Sequence, residues 1–153
     1  MVRLADLPES TQKRWRELDC PQFDHSPWVE GPALSQRKIA MVTTAGLSIR
    51  GGPLFQGGAD DYHKIPEDVP DGNLLISHVS INFDRTGFQQ DANVVLPRKR
   101  LREMAAAGEI GACATSHYSF MGATDPLKME RNARALAVEL KADGVDSVLL
   151  IPV

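Results

Sequence analysis

The stretch "TDPLKMERNARALAVELKADGVDSVLLIPV" confines the chain to a small set of folds. Asp125 stands where a helix cap belongs and Pro126 suits the first turn. Met129, Ala133, Leu136, Ala137 and Leu140 recur on one helical face, and Gly144 stops the helix. The segment from Val145 to Pro152 follows at once and is apolar at nearly every position. A strand without polar alternation is buried on both faces, and a helix returning directly into such a strand is half of a βαβ unit. The expectation is a parallel sheet with helices packed on it.

The same alternation runs upstream. "KIAMVTTAG" reads as a buried strand, Ile39 to Thr43, entering a polar loop with a glycine. "RGGPLFQGG" concentrates glycine and proline and reads as a long mobile loop. "NLLISHVSIN" holds a second apolar strand ending at Ser77 and His78. "LPRKRLREMAAAGEIG" is a helix with Pro97 near its start, Leu101, Met104 and Ala105 on one face, and Gly108 as its stop. "IGACATSHYSFMG" is a third strand, and the C-terminal strand is the fourth. Before Lys38 the pattern is irregular. Asp6 and Glu9 have capping-box spacing ahead of a short helix carrying Leu7, Trp15 and Leu18. Residues 22–36 form an arm across the surface, with Trp28 as its anchor. The fold class is therefore α/β, with a parallel sheet of about four strands and flanking helices. An N-terminal helix and irregular arm (1–36) precede the main domain (37–153), all within one domain.

Composition excludes several functions. The 153 residues are 42% hydrophobic and 24% charged with a net charge of −3, so bulk electrostatics favour neither nucleic acid nor an anionic membrane. No apolar run approaches the roughly 20 residues of a membrane span, and "MVRLADLPES" lacks a signal-peptide core. Cys20 and Cys113 match no zinc or disulfide spacing, so a cytoplasmic, reducing setting is expected.

In parallel sheets ligands bind beyond the carboxyl ends of the strands. Three strands here finish in hydroxyl-, imidazole- and glycine-bearing segments: Thr43, Thr44 and Gly46; Ser77 and His78; Ser116 and His117. Their convergence marks the candidate site. His78 and His117 are the candidate catalytic pair, acting as acid and base or binding a carboxylate. The alternative is that both are polar strand ends bonded to local backbone. No pair among His63, His78, Asp84 and His117 has a metal-ligand spacing. The glycines of "TTAGLSIRGG" and "FQGGADD" follow no phosphate-loop pattern and read as a flexible lid. Cys113 reads as a structural thiol, Cys20 has no base near it in sequence, and "RKRLR" reads as a solvated face.

The strings "MVTTAG", "IPEDVP", "LLISHVSINFDRTGFQQDANVVLPRKRLREMAAAGEIG" and "SHYSFMGATDP" resemble the selenoprotein B family of glycine, sarcosine, betaine and D-proline reductases. The D-proline branch is the nearest. The resemblance runs from about Trp28 to Val153. It implies a selenocysteine or cysteine that attacks an activated small amino-acid or amine substrate and cleaves a carbon–heteroatom bond reductively, of the C–N type in the D-proline case. A selenol is ionised at neutral pH, whereas a free thiol with a pKa of about 8.5 is mostly protonated. It further implies that the pyruvoyl group activating the amine sits on a separate subunit. Nothing in this chain suggests the Ser or Cys cleavage site that makes such a group, so no cofactor is expected here. The implied redox residue follows the strand matching "GVDSVLLIPV", and the expectation is a product ended at a selenocysteine codon. The family does not require a thiol at Cys113.

Carrying the strand-end motifs over gives Thr43, Thr44, Gly46, Ser77 and Ser116 for substrate binding beside His78 and His117. Asp84 and Arg85 of "NFDRTG" are second choices. The expected partners are a small-molecule substrate, a pyruvoyl-bearing subunit or thiol donor, and further copies of the chain. Two rivals stand beside this reading. One is a non-catalytic binding or scaffolding module of the same fold. The other is hydrolase or racemase chemistry through His78 and His117.

Overall fold

The computed structural model describes residues 3–17, 22, 24, 26–81 and 83–153. In chain order the main elements are α1 (Glu9–Arg16), β1 (Lys38–Thr43), β2 (Leu47–Ile49), β3 (Tyr62–Pro66) and β4 (Leu74–Ile76). They continue with α2 (Thr86–Gln90), α3 (Arg98–Ala106), β5 (Ala112–Cys113), β6 (Ser116–Phe120), α4 (Pro126–Ala142) and β7 (Ser147–Ile151). The α/β class expected from sequence is what forms, but the sheet is mixed. β1 lies at its centre, parallel to β7 and to both β5 and β6, and β3 joins β6 antiparallel.

β1 shows why the layers form. Ile39 and Met41 point to one face, where Leu47, Ile65, Leu74, Val95, Leu96, Leu101 and Ile110 complete a core beneath α3. Ala40 and Val42 point to the other face, against Tyr118, Phe120, Leu136 and Leu140 under α4. A strand sandwiched between two helical layers has to be apolar throughout, which is the pattern read from its sequence.

The capping expectations for α4 hold. Asp125 accepts a hydrogen bond from the Leu127 N–H at 3.0 Å, and Gly144 takes a left-handed turn at φ 69°. Of the face expected to be apolar, Leu136 and Leu140 are buried and Met129 packs partly, whereas Ala133 and Ala137 are exposed. α3 begins after Pro97 and ends before Gly108 as expected.

Several expectations are corrected. The strand of "NLLISHVSIN" is β4, and it pairs antiparallel with β2 in a separate two-stranded ribbon. The following Ser77 N–H then bonds Gly46 O, so this ribbon, and not the main sheet, delivers His78. Ser116 and His117 are the start of β6 and lie buried within the sheet. Trp28 is 89% exposed and so does not anchor the arm to the described residues, and Trp15 is likewise exposed, α1 burying no residue. Arg98 of "RKRLR" is 1% exposed: its guanidinium pairs with Asp71 and donates to the carbonyls of Pro66 and Glu67. The long glycine-bearing loop ends at β3 and is fastened just before it by hydrogen bonds from Thr124 Oγ1 to Ala59 O and from Asn132 Nδ2 to Asp60 O. Leu18 and Cys20 lie outside the described residues.

Candidate strand-end site

At the carboxyl edge of β1, β6 and β7 lies a cleft of about 650 Å³. His78, Ser80 and Phe83 form one wall, Gly122, Ala123 and Val153 its floor, and Arg14 and Trp15 of α1 the opposite rim. This is the position where a parallel sheet offers strand-end groups and unpaired backbone to a ligand.

His78 is held from three directions. Its ring stacks on Phe83 with centroids 4.6 Å apart, and its Nδ1 accepts from the Ser80 N–H at 3.2 Å. With Nδ1 used as an acceptor, the proton of the neutral ring sits on Nε2. Burial, reinforced by the nearby Arg85 charge, holds its pKa below the ordinary histidine value. Arg85 folds the loop around it, donating to the carbonyls of His78 at 2.6 Å, Ser80 at 3.3 Å and Phe83 at 3.2 Å. The guanidinium is thus occupied in shaping the loop that carries His78.

Two glycines permit the close packing beneath. Gly46 sits at φ 64°, and a Cβ there would lie 2.9 Å from the His78 Cα. A Cβ at Gly122 would lie 2.6 Å from Thr44 O. Only glycine brings these backbones together. Thr44 Oγ1 accepts from the Val153 N–H at 2.9 Å and so ties the end of β7 to the end of β1.

The other predicted residues have different surroundings. Thr43 is buried, and its Oγ1 accepts from the Ala45 N–H. Ser77 Oγ donates to Gly46 O at 3.0 Å and lies 2.7 Å from Ser48 Oγ, which also contacts His63 Nδ1 at 2.9 Å. Asp84 is exposed and accepts from the Thr86 N–H ahead of α2, which keeps its carboxyl below the usual range. Ser116 is buried opposite Pro66.

His117 is separated from His78. β1 pairs Ile39 with Cys113 but Val42 with Tyr118, so four residues of the neighbouring chain oppose two of β1. This bulge leaves the Met41 N–H without a ladder carbonyl, and His117 Nδ1 accepts it at 3.0 Å. The Nε2–H then donates to Glu67 Oε2 at 2.8 Å, and Glu67 is in turn paired with Arg102. Complete burial holds this imidazole below its ordinary pKa, outweighing the opposing pull of the Glu67 carboxylate. Both ring nitrogens are occupied, and Glu67 faces another cavity, shared with Cys113 and Thr115. The two histidines therefore do not form one acid–base pair. The Cys113 thiol in that second cavity is pushed up by burial and by Glu67, partly offset by Arg102. Among the described residues no three His, Cys, Asp or Glu side chains gather as metal ligands.

Sequence reasoning missed the α1 rim and Phe83. Nothing in the sequence ties Arg14 to a site more than sixty positions away. Gly122 did carry a signal, as a glycine directly after an apolar strand.

The profile of the family described as Glycine/sarcosine/betaine reductase selenoprotein B matches residues 10–152. Among curated proteins, the Glycine reductase complex component B subunit gamma of Carboxydothermus hydrogenoformans is 34% identical over 144 residues, covering 88% of this chain and 32% of that protein. The D-proline reductase subunit gamma of Acetoanaerobium sticklandii is 31% identical over 120 residues, covering 76% and 49%. The Betaine reductase complex component B subunit beta of Peptoclostridium acidaminophilum is 30% identical, covering 88% and 32%. The chain thus spans between a third and a half of the relatives it matches. No solved structure matches it. With the match running over nearly its whole length, this chain belongs to the glycine/sarcosine/betaine reductase selenoprotein B family.

Proposed function

We propose that the chain supplies one wall of the substrate site in a reductase that cleaves a carbon–heteroatom bond, of the C–N type, in a small amino acid or amine. The reading is carried by one observation: a built cleft at the carboxyl edge of the parallel strands, holding a buried, neutral, oriented His78. Membership of the family, whose relatives bear the names of reductase complex components, supports it.

On this proposal the redox selenocysteine or cysteine lies outside these 153 residues. Cys113, the free cysteine among the described residues, supports that reading, since it faces the other cavity and its thiol is pushed toward the protonated form. Per turnover, a dithiol donor would surrender two electrons and two protons and end as a disulfide. One C–N bond would be replaced by one C–H and one N–H bond. Within this scheme His78 Nε2–H holds a polar group of the substrate, and Arg14 contributes positive charge at the rim. Activation of the amine by a pyruvoyl group belongs to a partner subunit. Such a complex is placed in the cytoplasm by this proposal. No helix among the described residues is long and apolar enough to cross a membrane.

The test is to extend the chain past Val153 with a cysteine-bearing segment of a relative and assay it with the relatives' partner subunits. Dithiothreitol-dependent reduction of D-proline, glycine or betaine is expected, with His78→Ala reducing it at least tenfold. No reduction of any small amine or amino acid would refute the proposal. The separation of His78 from His117 speaks against the hydrolase or racemase alternative.

A further inference from the structure

β7 has a partner on one side only. Among the described residues it pairs with β1, and its other edge is open. The backbone parity of that edge follows from its neighbours. The Met41 N–H turns toward β6, so Ala40 and Val42 face β7. The Thr44 N–H reaches Ile151 O, which with the pairing of Ile39 to Ser147 turns the odd-numbered residues of β7 toward β1. The amides of Val148 and Leu150 therefore face outward, without a ladder partner among the described residues. The strand carries no charged residue and no proline within its span. Val148, Leu149 and Leu150 are 39%, 44% and 69% exposed. A groove of about 980 Å³ runs along this edge, walled on its far side by Trp28 and Val29 of the arm.

Charge is distributed unequally along the same edge. Glu30 and Asp146 stand at its amino end and outnumber the single cation lining the groove there among the described residues, Arg37, whose guanidinium donates to Ser147 Oγ and Pro32 O. Arg14 lines the cleft beside Val153 at its carboxyl end. An antiparallel copy of the edge would place acidic end against basic end, whereas a parallel copy would set like charges together.

We infer that β7 pairs antiparallel with β7 of a second copy about a twofold axis at Leu149, with the Trp28 arms closing over the joint. In this register Val148 and Leu150 of opposite copies exchange N–H to carbonyl bonds, Ser147 meets Ile151, and the two Leu149 residues face each other as a non-hydrogen-bonded pair on the axis. Trp28 alone would bury on the order of 200 Å². Two short strands and two arms reach the low end of a specific interface, about 1,200 Å² in total. The dimer should therefore dissociate on dilution. Asp146 would fall opposite Pro152 of the second copy, which brings the partner's Glu30 to the Arg14 rim of the strand-end cleft. Each site would then be completed from two chains. The inference does not depend on the reductase reading, because its test requires no turnover.

Sedimentation velocity of the 153-residue chain over a dilution series decides it. The expected result is a reversible dimer whose dissociation constant rises about tenfold in Trp28→Ala, as for the loss of one buried aromatic anchor. Leu149→Lys should be monomeric. Glu30→Arg should weaken the dimer, and adding Arg14→Glu should restore it. Trp28 lies outside the core, so its variant remains informative if Leu149→Lys fails to fold. A monomer at every concentration would overturn the inference. So would a dimer that ignores both Trp28→Ala and Leu149→Lys.

Discussion

Replacing His117 with phenylalanine tests whether this imidazole is an element of the sheet. The substitution keeps a planar ring in the core but removes two hydrogen bonds. The Met41 N–H, buried at the centre of the sheet, loses its acceptor. Leaving a buried donor unsatisfied costs about 1–3 kcal/mol. The Glu67 carboxylate loses a donor as well, although Arg102 remains to neutralise it, so this loss adds about 1 kcal/mol. The total of about 2–4 kcal/mol is a large share of the 5–15 kcal/mol typical of a domain. His117→Asn, whose side-chain oxygen can stand near the position of Nδ1, should recover about half. Urea unfolding at pH 7.5 measures both variants, and amide exchange at Met41 reports the local bond. A loss below about 0.5 kcal/mol in His117→Phe, or unchanged protection of the Met41 amide, would refute the bulge-filling role.

Stability should also depend on pH through the two buried histidines. Both have folded pKa values below the unfolded value near 6.5, so at intermediate pH the unfolded chain binds more protons. Their stabilising contribution is complete above about pH 6.5 and is lost as the pH falls toward the folded values. The slope is at most about 1.4 kcal/mol per pH unit for each ring, and stability rising on acidification through pH 6.5–5.5 would contradict the assignment. Gly46→Ala should cost at least about 2 kcal/mol, because alanine resists the left-handed conformation and its Cβ would press on the His78 backbone. NMR shifts concentrated at His78 would accompany that loss, and an unperturbed His78 would argue against the contact. Cys113→Ser should change stability by less than about 1 kcal/mol and leave substrate binding intact, as judged by calorimetry. Loss of binding would show that the second cavity takes part in the site.

The sequence by itself determined the apolar strands at Ile39–Thr43 and Val145–Pro152 and the two longer helices with their caps. These signals are local. A strand buried on both faces, as β1 is, must be apolar throughout. β7 carries the same pattern but is an edge strand among the described residues, with Val148, Leu149 and Leu150 exposed, which corrects the expectation of burial there. A helix end needs an acceptor at one terminus and a left-handed residue beyond the other. The position of His78 at a strand end was likewise legible, because β4 and its exit are short and contiguous. Tertiary structure decided what the periodicity leaves open. β4 pairs with β2 because Gly46 lets the chain double back, a choice between partners that a strand's own residues do not encode. His117 reads as a loop ligand in sequence, yet it enters the sheet because a bulge opposite Met41 leaves a donor in need of an acceptor. Arg98 reads as a solvated cation, yet it is buried because Asp71 and two carbonyls surround its guanidinium. Trp28 reads as an anchor, yet it stands exposed beside the open edge of β7. In each case the residue's role follows from a neighbour distant in sequence, and the packing of the sheet alone brings that neighbour into place.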